Sequence, residues 1–178
     1  SSAASDVYKR QSPVDDPEYA IYGTEEVPAP RTLVDIFKAT VEAYPNDIAL
    51  EASDALTYRE LAQRVEAQVQ RLNKIGVGPG TRVGIRVPSG TLDLYIAILS
   101  TLCAGAAYVP VDWDDPDSRA DTVWTEADVT AVYGSGLSLE LQKESQEKVE
   151  QKAPTLDNDA WIISVSYTHL TLPTKRIV

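Results

Sequence analysis

Residues 81–111 read TRVGIRVPSGTLDLYIAILSTLCAGAAYVPV. The first part, TRVGIRVP (81–88), alternates Val83, Ile85 and Val87, the period-two pattern of a strand. The middle, SGTLDLYIAILSTLCAG (89–105), repeats apolar residues at helical spacing through Leu92, Tyr95, Ile96, Leu99 and Leu102. The last part, AAYVPV (106–111), is a second strand, apolar enough for burial on both faces. A strand, a helix and a strand in direct succession form one crossover unit, and such a unit joins parallel strands.

The alternation continues downstream. DSRADTVWTEAD (117–128) reads as a helix, and VTAVYG (129–134) as a third strand. LELQKESQEKVEQK (139–152) is polar and charge-mixed, as a solvated helix would be, and DAWII (159–163) is a fourth strand. The predicted class is α/β: a mostly parallel sheet with flanking helices and right-handed crossovers. In such sheets ligands bind at the carboxyl ends of the strands.

Upstream, LTYREL (56–61) opens a helix in which Thr57 and Glu60 have capping-box spacing. Leu61, Val65, Val69 and Leu72 continue its apolar stripe, and Gly76 ends it. In RTLVDIFKATVEAYP (31–45), Thr32 can cap with Asp35 three residues on. There Leu33, Ile36, Phe37, Thr40, Val41 and Tyr44 share one face, and Pro45 stops the helix. DIALEA (47–52) is strand-like. Residues 12–30 hold four prolines and no sustained period, so they read as an extended leader or linker.

The two ends are of another kind. Residues 1–11, SSAASDVYKRQ, have an allowed back-translation whose reverse complement encodes VSYTHLTLPT, which is Val165 to Thr174. That DNA resembles a transposase adapter used in sequencing libraries. Residues 1–11 and 164–178 are therefore expected to be adapter-derived, with Ser164 a hybrid codon and Lys175 to Ile177 from index bases. On this reading His169, the single histidine of the chain, is not a catalytic base.

Composition bounds the rest. The 178 residues carry a formal net charge of −11, which argues against non-specific nucleic-acid binding. With Lys9, Arg10, Lys175 and Arg176 set aside against Asp6, the remainder is more acidic still. No run is long enough to span a membrane, and no signal peptide is evident. A single cysteine, Cys103, excludes an internal disulfide and fits a reducing, cytoplasmic setting.

Candidate chemistry is sparse. Asp112, Asp114, Asp115 and Asp117 in DWDDPD suggest a cation site, but a solvated turn with Asp117 or Ser118 capping the next helix is preferred. VPSGT (87–91) suggests an anion-binding turn; a helix start capped by Ser89 or Thr91 is preferred. GVGPG (76–80) suggests a phosphate loop, yet no helix N-terminus follows it to meet an anion. Cys103 lies on an apolar helix face with no histidine partner, a core position rather than a nucleophile. No metal-ligand spacing is present. The expectation is that no residue of this chain is catalytic, cofactor-binding or metal-binding.

Two motifs then carry a resemblance. LTYREL (56–61) and LCAGAAYVPVDWDDPDSR (102–119) resemble the first two core motifs of AMP-forming adenylation domains. The GVGPGTRVGI link and the opening TLVDIFKATVEAYPNDIAL are also similar, so the resemblance covers residues 31–163. The form AYVPVD, followed by Pro116 and Arg119, looks like nonribosomal peptide synthetases, and the 86–120 wording like the poly-lysine synthetase type. The resemblance implies an incomplete N-terminal part of the large subdomain of an acyl-adenylate-forming enzyme. It implies, for a complete parent, ATP and Mg²⁺ as cofactors, an amino acid as substrate, and a phosphopantetheine-bearing carrier domain as partner. The third family motif, a glycine-rich phosphate loop, is expected after AWII, where SVSYTHLTLPTKRIV (164–178) offers no glycine. The fragment itself is expected to be inactive. A fragment of an acyl- or aryl-CoA ligase, and a non-enzymatic α/β interaction domain, are the competing readings.

Overall fold

The computed structural model describes residues 29–52, 54–143 and 152–163. The expectations for residues 1–28, 144–151 and 164–178, His169 among them, lie outside the described residues. The chain divides into Ser1–Pro30 and Arg31–Val178, and the description concerns the second unit.

Helix α1 spans Leu33–Ala43, and the strands β1 (Ile48–Glu51) and β2 (Ala55–Thr57) form an antiparallel pair. Helix α2 (Tyr58–Lys74) leads to β3 (Arg82–Ile85), α3 (Leu92–Cys103) to β4 (Ala107–Pro110), and α4 (Asp117–Glu126) to β5 (Ala131–Tyr133). A 3₁₀ turn at Ser135–Leu137 connects to β6 (Leu139–Leu141). The main sheet has the order β4-β3-β5-β6, with β3 parallel to both β4 and β5 and β6 antiparallel to β5.

Alternation along the strands sends side chains to two helical layers. Val83, Ile85 and Tyr133 face a core with Leu72, Val77 and Ala97 from α2, its exit and α3. Val109 and Val132 face the other way, into a core with Ala120, Val123 and Trp124 of α4. Leu72, Ile85 and Ile96 are fully buried, each contributing about 1.5–3 kcal/mol relative to exposure. A third core joins Leu56, Leu61, Val65, Leu92 and Ile96, and so seats the β1–β2 hairpin on α2 and α3.

The three helices that feed β3, β4 and β5 end alike. After α2, Val77 N–H donates to Leu72 O (3.0 Å) and Gly76 N–H to Asn73 O (3.1 Å), with Gly76 at φ 79°. After α3, Ala106 N–H meets Thr101 O (3.1 Å), with Gly105 at φ 84°. After α4, Val129 N–H meets Trp124 O (3.1 Å), with Asp128 at φ 52°. This paired closure with a left-handed residue is the Schellman motif, and it turns each helix straight back into its strand.

Several expectations need correction. Residues 139–141 form a strand rather than the start of a solvated helix, because Ala131, Val132 and Tyr133 offer a free edge that Leu141, Glu140 and Leu139 pair with. LTYREL opens the helix as expected, with Thr57 at its N-cap, while Leu56 and Thr57 also close β2. Residues 159–163 form no full strand: Tyr108 and Trp161 make a single parallel bridge. The buried residue of α1 is Val34; Leu33, Ile36 and Tyr44, placed on the inward face by spacing, are exposed. Among the described residues no helix is long and apolar enough to cross a membrane.

Candidate functional site

Parallel β3, β4 and β5 end together at Ile85, Pro110 and Tyr133, and their carboxyl edge is where such sheets bind ligands. The segment Ala160–Ile162 runs beside β4, since Tyr108 N–H donates to Ala160 O (3.0 Å) and Ile162 N–H to Tyr108 O (2.9 Å). Arg86 stands at the carboxyl edge, directly after β3. Arg86 Nη1 pairs with Asp117 Oδ1 at 2.7 Å, and Nη2 donates to the carbonyls of Asp115 and, at 3.5 Å, Trp113. Arg86 Nε is buried without a hydrogen-bond partner.

The aspartates expected as a turn are one. Asp114 N–H donates to Asp112 Oδ1 (3.0 Å), Asp115 N–H to Asp112 O (3.2 Å), and Arg119 Nε to Asp115 Oδ2 (2.9 Å). Among the described residues no group of three or more His, Cys, Asp or Glu side chains is placed to hold a metal ion. The cap of α4 is a correction: Pro116 occupies the N-cap, and neither Asp117 nor Ser118 supplies a cap bond. Proline fixes the entry φ, and Asp117, one residue in, turns to Arg86 instead.

Thr91 does occupy the N-cap of α3, but without a side-chain cap bond; its hydroxyl donates to Pro88 O (2.7 Å). Ser89 is not the cap residue. The GVGPG segment closes on itself, Gly78 N–H to Thr81 Oγ1 (2.9 Å) and Thr81 Oγ1 to Gly78 O (2.7 Å), and delivers the chain into β3. Cys103 packs against the Leu56–Leu61–Ile96 core, and burial pushes its thiol pKa up, which disfavours the nucleophilic thiolate. Sequence reasoning passed over Arg86. The available signal was a basic residue in the off-phase position of the 83–87 alternation, one strand away from an acidic loop.

Two cavities among the described residues open at the opposite, amino edge. A cleft of about 210 Å³ lies among Arg31, Val34, Leu102, Ala106, Leu156 and Asn158. A more polar one of about 220 Å³ lies among Gly80, Arg82, Ala107 and Asp157.

The described residues thus form a mostly parallel α/β layer, preceded by a β-hairpin and carrying the AYVPVD segment on β4. The chain belongs to the AMP-binding enzyme family, which matches residues 37–173. It is 33% identical over 149 residues to delta-poly-L-ornithine synthetase of Acinetobacter baumannii, covering 75% of this chain and 11% of that protein. It is 35% identical over 103 residues to gramicidin S synthase 1 of Brevibacillus brevis, covering 57% of this chain and 9% of that one. The chain thus spans about a tenth of the length of these two relatives. Among solved structures, the AMPPNP-bound nonribosomal peptide synthetase FmoA3 is 27% identical with a TM-score of 0.65, over 81% of this chain and 17% of that chain. The N-terminal subdomain of Klebsiella oxytoca NpsA, in complex with anthranilyl-AMSN, shares the fold at 23% identity and TM-score 0.65, over 78% of this chain and 39% of that chain.

Proposed function

We propose that this chain is part of an amino-acid-activating adenylation domain of a peptide or poly-amino-acid synthetase. In the complete protein an amino-acid carboxylate attacks the α-phosphate of ATP. A new O–P bond forms, pyrophosphate leaves, and Mg²⁺ offsets the charge. The acyl group then passes to the phosphopantetheine thiol of a carrier domain, in the cytoplasm and without a nucleic-acid partner. The observation that carries this reading is the 33% identity over 149 residues to a synthetase that polymerises an amino acid. The gramicidin and beauvericin synthetases among the relatives favour it over a CoA ligase.

Within the chain, residues 31–163 carry the domain, 12–30 its leader, and 1–11 and 164–178 are foreign; no residue is assigned a catalytic, ATP-binding or metal-binding role. Sequencing the parent gene across codons 160–178 tests the boundaries, since an uninterrupted natural reading frame there would overturn them. Amino-acid-dependent ATP–pyrophosphate exchange tests the activity. The complete parent should exchange with a particular amino acid, and the purified 178-residue chain should not. A parent that exchanges only with an acyl or aryl acid would replace this reading with the CoA-ligase one.

A further inference from the structure

Arg86 follows directly on β3, and its backbone N–H donates to Tyr133 O at 2.9 Å, at the end of β5. Val111 N–H donates to Ile85 O at 3.0 Å, so the ladder between β3 and β4 runs to the base of the acidic loop. From there the Arg86 guanidinium crosses the strand ends and meets that loop at Trp113, Asp115 and Asp117. The bonds from Asp112 to Asp114 and Asp115 fold the loop on itself; those of Arg86 tie it to the sheet.

Charge attraction is a small part of this. The Asp117 side chain is 89% exposed, and exposed pairs contribute little. The Arg86 side chain is 23% exposed, and it leaves Nε buried and unpaired, which is unfavourable. What arginine adds is a planar fork that spans two carbonyls and a carboxylate at fixed geometry.

We infer that Arg86 is a positioning residue, which locks the 112–117 loop into one conformation as a wall of the reaction site at the carboxyl edge. The inference rests on the adenylation reading above. Its test uses the complete enzyme and the present chain together. In the enzyme, per mole of folded protein, Arg86→Met should lower kcat/KM for ATP–pyrophosphate exchange by about 10²-fold, the scale of a small misplacement of a reacting group. Arg86→Lys, which keeps the charge and loses the fork, should fall between Arg86→Met and wild type. Asp117→Asn should stay within about threefold of wild type, because the two carbonyl contacts remain. In the present chain, Arg86→Met should speed hydrogen exchange at the Asp114 and Asp115 amides and leave the β3 and β5 amides unchanged. Arg86→Met with kcat/KM within about threefold of wild type, or with no change in loop exchange, would overturn the inference. A wild-type parent inert with every amino acid would sink the adenylation reading instead, and the loop-exchange result would still decide whether Arg86 holds the loop.

Discussion

Gly84 sits mid-strand in β3, paired to Val109 on one side and Val132 on the other. Trp124 of α4 lies over it so closely that an added Cβ would meet ring atoms at 2.7, 2.9 and 3.0 Å. The indole is 8% exposed and is walled by the Val109 and Val132 core, so it has little room to retreat. Gly84→Ala should therefore destabilise by about 1–3 kcal/mol, the range for overpacking a filled core. Gly84→Ala combined with Trp124→Leu should cost less than the sum of the two single changes, because the second removes the clash created by the first. Urea denaturation of the four proteins of that cycle checks it; strict additivity would mean that Trp124 does not sit on Gly84. Tyr133, on the other face, shows how firmly this sheet is buried: it is fully enclosed, and burial raises its phenol pKa.

At the scale of elements, the helix signals in the sequence were strong because they are local. Thr32 with Asp35, and Thr57 with Glu60, form reciprocal capping boxes as their spacing required. The Glu60 carboxylate accepts from Thr57 N–H (2.9 Å) and from the Thr57 hydroxyl, and the hydrogen bonds hold its pKa below the usual glutamate value. A depressed folded-state pKa contributes stability above the unfolded value and loses it as pH falls through the folded one. Glu60→Ala should thus lower the melting temperature at neutral pH, and the gap to wild type should close as the solution is acidified below the usual glutamate value. Parallel melts from neutral to acidic pH check this, and a gap that does not change with pH would show that the carboxylate is not part of the cap. Strands were less legible because their partners are remote. β2 has three residues and exists through its pairing with β1. β6 carries Leu139, Glu140 and Leu141 in a polar context, and the free edge of β5 decides its state. The Arg86 contacts span 27 to 31 residues, so no window of sequence contains them. The Asp128 turn was hidden for a different reason: it does the work of Gly76 and Gly105 without being glycine, its carboxylate paired to Lys143 at 2.6 Å.

The two sides of the whole sheet differ in how they meet solvent. On the β6 side, Glu140 and the Lys143–Asp128 pair set charge beside the outer strand, the kind of protection that discourages edge-to-edge pairing. Beyond β4 the described chain offers only the bridge at Trp161, whose ring meets Tyr108 at 6.3 Å. Trp161 is 59% exposed and Ile163 54%, and Leu156 nearby in sequence is 60% exposed. An exposed apolar strand edge of this kind is a template for a second chain. The purified chain should therefore associate as its concentration rises, and its melt should be broad. Ile163→Lys sets a charge on that edge without touching the Tyr108–Trp161 contact, so it should shift the chain toward monomer while leaving the β3–β5 core intact. Sedimentation velocity at several concentrations, for wild type and Ile163→Lys, reads the association directly. A wild-type chain that stays monomeric throughout and melts in one sharp transition would show that this edge is already covered.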